Sequence, residues 1–388
     1  MSARAGAEPA AGDAPEPAGR GASLLGLAHV ATCSFLAARL APSGHFWLAL
    51  GGGIALARVG DRHGLRAGYG ASLAAIAQTI ALIGPARVSG PLTQAFNAPL
   101  IGRMQGRGAS RAARLAACFA IRLAHYAVTT LLVVLVIVGG TQEFVATYDR
   151  LVGWLPLVPT GDTAAVIAVI ALSMAAGAGF SVIQVLAYER ALGRWPAEGP
   201  AAAAPVAHPG ERSPRRVSLA IGAVAAAWTI LLALPAWPVL GAVTAALVIA
   251  WGIGRQFPRD VVRLGAALAA VLALGALFPA IIGAVELDDA LRRAIRIALL
   301  VLTATWARAA VGAPALRHAA RRAFWHVRAL PSAREAAAIT EDLESDARLG
   351  PAARDLGERL RDVPHEVLPV ADALTEWVAA EATAYETP

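Results

Sequence analysis

Between Ser23 and Gly312 the chain carries about ten long apolar segments, separated by short loops studded with arginine. A helix needs ~20 apolar residues to cross a bilayer core, and no water-soluble fold requires so many such stretches in succession. The pattern predicts an all-α polytopic membrane protein. It narrows function to transport, catalysis within the membrane, or anchorage. Composition agrees: of 388 residues, 57% are hydrophobic and 16% charged, far from an average soluble domain.

All 34 strongly basic side chains are arginine, because the chain contains no lysine. A standard phosphate-binding loop needs its lysine on the β/γ phosphates, so ATP-driven work would require a separate ATPase chain. A lysine Schiff base is excluded likewise. No HExxH, no GxSxG, no Cys/His set with metal-ligand spacing and no paired carboxylates within a span are present. No enzyme activity and no cofactor are therefore expected of this chain. Cys33 and Cys118 lie inside apolar segments, where they read as packing residues. The net charge of +7 sits on arginines between apolar segments, so it orients the chain in a membrane and implies no nucleic-acid partner.

Residues 1–21 read as a disordered tail of Ala, Gly and Pro. A six-span unit covers 22–194, with segments near Leu24–Leu40, His45–Ala57, Ala67–Ile83, Leu92–Ile101, Leu115–Val138 and Ala164–Ala187. A Pro/Ala-rich linker follows at 195–216. Four more spans occupy 217–313, near Val217–Leu234, Val239–Ile253, Val262–Ile282 and Ile295–Val311.

Arginine placement supports this 6+4 parse. With the N-terminus in the cytoplasm, Arg58, Arg62, Arg66, Arg103, Arg107, Arg111 and Arg114 fall inside, as do Arg255, Arg259 and Arg263. Both termini are then cytoplasmic, in a cell (inner) membrane. Arg292, Arg293 and Arg296 alone stand at an outer boundary.

The last block, 314–388, is expected to form amphipathic helices on the cytoplasmic side. Residues 314–330 set Arg317, Arg321, Arg322 and Arg328 against Leu316, Phe324, Trp325 and Val327, a pattern that suits the membrane surface. From Pro331 onward thirteen acidic residues face five arginines. Helical spacing links Ile339 with Leu343, Leu356 with Leu360, and Val370 with Leu374, Trp377 and Val378. These stripes need a partner surface: the bilayer, the transmembrane bundle or another protein.

Within the first unit Gln78, Gln94, Asn97, Arg122, His125, Tyr126 and Gln184 are candidate ligands for a small-molecule or ion substrate. Arg122 is either a functional intramembrane cation or a side chain snorkelling to the interface. The uncharged members serve either a binding pocket or interhelical hydrogen bonding. His29 and His125 are either packed, hydrogen-bonded residues or metal ligands. Tyr148, Trp154 and the PLVP stretch either cap a site or anchor at the interface.

From Pro214 onward the chain resembles the transmembrane T component of energy-coupling-factor transporters. The likeness lies in four closely spaced apolar helices followed by GAPALRHAARRAFWHVRALPSAREAAAITEDLESDARLG, residues 312–350. Leu330-Pro331 stands at the family's Leu-Pro step, and Ala347-Arg348-Leu349-Gly350 near its Ala-Arg-Gly position with one residue interposed. The resemblance implies that Arg348, with Arg317, Arg321 and Arg328, contacts separate ATP-binding subunits. The first half resembles an S component in its six spans and its Gly64-Leu65-Arg66-Ala67-Gly68 turn. Together these imply an ATP-driven importer subunit for a vitamin or metal micronutrient. The alternatives are a membrane-anchored scaffold that recruits a soluble partner through the acidic tail, and a secondary carrier.

Overall fold

In the computed structural model, residues 19–40, 45–84, 89–195, 214–234, 236–253, 259–343 and 348–386 are described. Residues 1–18 of the expected tail and 196–213 of the expected linker lie outside them. Helices make up 89% of the structure, and no strand occurs among the described residues. The first unit comprises α1 (Gly19–Leu40), α2 (His45–Ile83), α3 (Ser89–Gly106), α4 (Arg111–Leu132), α5 (Thr141–Val152) and α6 (Asp162–Gly193). Then come α7 (Pro214–Ala233), α8 (Trp237–Ile253), α9 (Arg259–Ile281) and α10 (Leu287–Val311). The C-terminal block holds α11 (Ala313–His326), α12 (Pro331–Asp342), α13 (Leu349–Arg359) and α14 (Val367–Glu386).

Among the described residues four helical stretches are long and apolar enough to cross a membrane: Arg111–Val138, Asp162–Gly193, Val261–Ile281 and Leu287–Val311. Near 1.5 Å per residue, even the shortest exceeds the ~30 Å hydrocarbon core. The most apolar stretch of α10 is 44% buried against 11% in the α4 and α6 spans, because α10 packs against α7, α8 and α9. Leu131 on α4, Ile170 on α6, and Val271 and Leu274 on α9 face outward, an apolar surface suited to lipid. Helices α7 and α8 are apolar but shorter.

The segments expected as the first spans pack otherwise. Every residue from Leu27 to Ala38 and from Leu48 to Gly60 is buried inside the protein. A helix that is apolar on all sides fills a core just as well as a membrane, and here the surroundings are protein. His45–Ala57 and Ala67–Ile83, expected as two spans joined by a loop, are one helix kinked at Gly64 (φ 83°, ψ 179°). That backbone conformation is open to glycine and strained for a residue with a Cβ. Arg58, expected in the loop, is buried beside the kink, donates to Asp61 (3.3 Å) and lies over the Trp195 ring (5.0 Å).

The partner surface for the tail is the chain itself. Ile339, Leu343, Leu356, Val370, Leu374, Trp377 and Val378 share one core with α1, α2 and Val185–Ala191 of α6. Polar ties fix the seam. Arg190 bonds both Asp372 oxygens (2.8 and 2.9 Å), Arg66 pairs with Glu335 (2.6 Å), and the His29 ring meets Glu381 (3.1 Å). Helices α12–α14, part of the block read from sequence as separate, thus complete the packing of α1 and α2.

At the opposite end of the bundle α4 passes into a π-helical turn, Val133–Val138. The Arg296 guanidinium donates to the Val136 carbonyl (3.0 Å), and Arg293 pairs with Glu143 (3.2 Å). These contacts account for two of the arginines that the sequence left at an outer boundary.

Candidate functional site

Three helices bring polar side chains to one buried point. On α3, Gln94 and Asn97 are three residues apart; on α6, Gln184 and Tyr188 are four apart; on α4, Cys118, Arg122 and Tyr126 form a stripe at four-residue spacing. Such spacing places each set on one helix face. Gln184 is the hub. Its Nε2 donates to Gln94 Oε1 (2.7 Å) and to the Tyr188 hydroxyl (2.8 Å), and that hydroxyl donates to Gln94 Oε1. Its Oε1 accepts from Asn97 Nδ2 (3.3 Å), from Arg122 Nη2 and from the Cys118 thiol (3.4 Å).

An amide oxygen has two lone pairs, so three donors oversubscribe it. Donors exceed acceptors around Arg122. Its Nη1 reaches the Tyr126 hydroxyl at 3.5 Å, its Cζ stands 5.5 Å from the Phe180 ring centre, and its Nε has no partner. Asn97 Oδ1 is likewise unpartnered.

Arg122 is only 4% exposed, and among the described residues no carboxylate pairs with it. It lies eleven residues past Arg111, about 16 Å along the helix axis. Its hydrogen-bond partners, buried Gln184 and half-buried Tyr126, hold the guanidinium between α4 and α6, short of the helix start. Glu189, one residue beyond Tyr188, is engaged by Arg111 (2.6 Å) and Arg114 (2.7 Å). A guanidinium buried without a counter-ion costs several kcal/mol, and a bound anion would offset that cost.

The cluster rests against α2 at Gly53. A Cβ at that position would stand 2.0 Å from the Tyr188 hydroxyl and 2.8 Å from Gln94 Oε1, so the close approach depends on glycine.

Five of the seven substrate-site residues expected from sequence therefore meet: Gln94, Asn97, Arg122, Tyr126 and Gln184. Gln78 stands apart, donating to the Thr340 carbonyl of α12 (3.4 Å). His125 is half-buried beside the Tyr126 ring (6.2 Å between centroids), outside the hydrogen-bonded cluster. Tyr188 and Cys118 belong to the cluster and were not singled out as ligands; the four-residue spacing Gln184–Tyr188 and Cys118–Arg122 was the available signal.

His29 is held by Glu381, by Cys33 (3.4 Å) and by stacking on Tyr385 (4.6 Å). Among the described residues no group of three or more metal-ligating side chains occurs. Tyr148 donates to the Pro159 carbonyl (3.1 Å) and Trp154 stays exposed, so that loop closes on itself.

Of the arginines implied to contact ATPases, Arg317 is buried on the inner side of α11 and Arg321 pairs with Glu341 of α12 (2.6 Å). Arg348 donates to the Ala384 carbonyl of α14 (2.6 Å), and Arg328 lines an open groove on α11.

No protein-family model, no curated protein and no solved structure matches the chain.

Proposed function

We propose that the protein is a membrane carrier that binds a small anionic, acceptor-rich solute at the Arg122 cluster. The observation that carries this reading is the buried guanidinium, bonded to amide and hydroxyl groups and with no carboxylate beside it among the described residues. A buried group with surplus donors selects an acceptor-bearing anion and repels a cation. A carboxylate-bearing vitamin fits this chemistry, whereas a metal ion does not.

Orientation follows from charge. Arg111, Arg114, Arg308 and the α11 arginines lie at one end of the spans, while Glu143, Asp149, Asp162, Asp288 and Asp289 lie at the other. The positive-inside rule assigns the former end, with α11–α14, to the cytoplasm.

The importer-subunit reading has one feature in its favour: Pro331 directly follows Leu330 and opens α12, giving a helical pair α11–α12 at the bundle edge. Against ATPase docking, the guanidiniums of Arg321 and Arg348 are engaged within the chain and Arg317 is buried. The scaffold reading loses the apolar faces of α12–α14, which are covered by α1 and α2, and keeps the acidic faces of the tail as its recruiting surface.

The test is a thermal-shift series on the purified protein with carboxylate, sulfonate and phosphate solutes. A ligand at one hundred times its Kd should stabilise the native state by about 2.7 kcal/mol. The shift should vanish in Arg122→Gln. If no anion stabilises the wild type, or if the shift survives in Arg122→Gln, the solute site is lost. Co-purification of ATP-binding subunits would restore the importer reading.

A further inference from the structure

Only Gly312 separates the end of α10 from the start of α11, so α11 starts where a candidate membrane span stops. Its inner side is fixed to the protein through buried Ala315 and Arg317, and the Arg321–Glu341 pair ties the edge of its outer side to α12. Its outer side is different. His318, Arg321, Arg322, Trp325, His326 and Arg328 line an open groove of about 580 Å³. None of the six is acidic. His326 Nδ1 donates to the Arg322 carbonyl (2.7 Å), which holds the imidazole at the groove.

Apolar side chains continue from the same end: Trp325 is 46% exposed, Val327 48% and Leu330 63%. Their exposure beside a span end makes sense where headgroups give way to acyl chains, since an indole there rests its body in hydrocarbon and its edge in water. A cationic groove bordered by such side chains matches a ligand that is anionic at one end and apolar at the other.

We propose that α11 binds the phosphate headgroup of an anionic phospholipid, with Arg322 and Arg328 on the phosphate and Trp325 at the headgroup–acyl boundary. The site would moor the α12–α14 layer to the cytoplasmic leaflet. This inference rests on α10 spanning the membrane and is independent of the Arg122 solute site.

The full chain is purified in mild detergent with phosphatidylglycerol and phosphatidylcholine supplied together, and retained lipids are counted by native mass spectrometry. Wild type should retain phosphatidylglycerol selectively. Each surface arginine contributes about fivefold to binding an anionic leaflet, so Arg322→Gln with Arg328→Gln should weaken retention about thirtyfold. The charge-preserving Arg322→Lys with Arg328→Lys should keep most of it, and Arg122→Gln should keep all of it.

Equal retention of the two lipids, or undiminished phosphatidylglycerol on the double glutamine variant, would overturn the proposal. Displacement of the lipid by millimolar inorganic phosphate would assign the groove to a soluble anion instead. An ATPase that co-purifies with wild type and is lost from the double variant, while lipid retention stays the same, would assign it to a protein partner.

Discussion

Replacing Trp377 with alanine tests whether the C-terminal helices are structural partners of α1 and α2 or a detachable tail. Trp377 is 1% exposed in the core shared by α1, α2, α13 and α14. A buried tryptophan withdraws up to about 250 Å² from water, and truncation to alanine gives up roughly 150–200 Å² of it. At about 25 cal/mol per Å² that is roughly 4–5 kcal/mol, within the range of ~3–5 kcal/mol typical of such truncations. The indole N–H bond to Asp355 (3.0 Å) adds little, because Asp355 is half exposed and also held by Arg359 (2.9 Å).

Cys33 supplies the assay. It is fully buried on α1, and the only other cysteine is Cys118, so a Cys118→Ala background leaves one reporter thiol. Its rate of modification by a maleimide measures how often the core opens. A loss of ~4 kcal/mol at 1.4 kcal/mol per decade predicts labelling about a thousandfold faster in Trp377→Ala. If the folded variant labels within tenfold of its parent, α14 does not support α1, and the shared-core account is wrong.

Gly53→Ala forces a methyl group to within 2.0 Å of the Tyr188 hydroxyl, so about 1–3 kcal/mol of stability should be lost together with anion binding at Arg122; an unchanged melting temperature would falsify the close approach. Asp372 is held below the ordinary aspartate range by its hydrogen bonds from Arg190. A depressed carboxyl stabilises above its unfolded pKa of ~3.9 and ceases to do so as pH falls through the folded value. Wild type should therefore exceed Asp372→Asn by about 1 kcal/mol at neutral pH and lose that margin below about pH 4, read as a difference in melting temperature.

Asp342 has the opposite sign, because burial raises its carboxyl above the ordinary range. Its ionised form opposes folding at neutral pH, so Asp342→Asn should melt higher than wild type there, and the advantage should fade as acid protonates the native carboxyl. Glu143→Gln removes the carboxylate from Arg293, which is buried at the π-helical end of α4; a loss of about 1–3 kcal/mol is expected, and a neutral result would mean that Arg293 finds another partner.

Much of the local order was legible in the chain. Apolar runs fixed the helices, since helices satisfy their backbone groups internally whatever surrounds them. The spacing of Ile339 and Leu343, and of Val370, Leu374 and Trp377, marked the buried faces of α12 and α14. The four-residue steps on α4 and α6 carried five of the seven members of the polar cluster. What the spacing lacked was the meeting of α3, α4 and α6, because Gln94 and Gln184 are joined by a contact ninety residues long in sequence.

The chain by itself therefore determined which segments are helical, which faces are apolar and at which ends the arginines gather. Tertiary structure alone decided what each apolar face touches. Val30 and Phe35 on α1 carry the same composition as Ile170 and Leu172 on α6, yet the first pair is enclosed by protein and the second faces outward. Transfer out of water is favourable into either medium and hardly distinguishes a packed interior from a lipid tail. The choice fell to the close approach at Gly53, the kink at Gly64 and the amphipathic helices that return to cover α1 and α2.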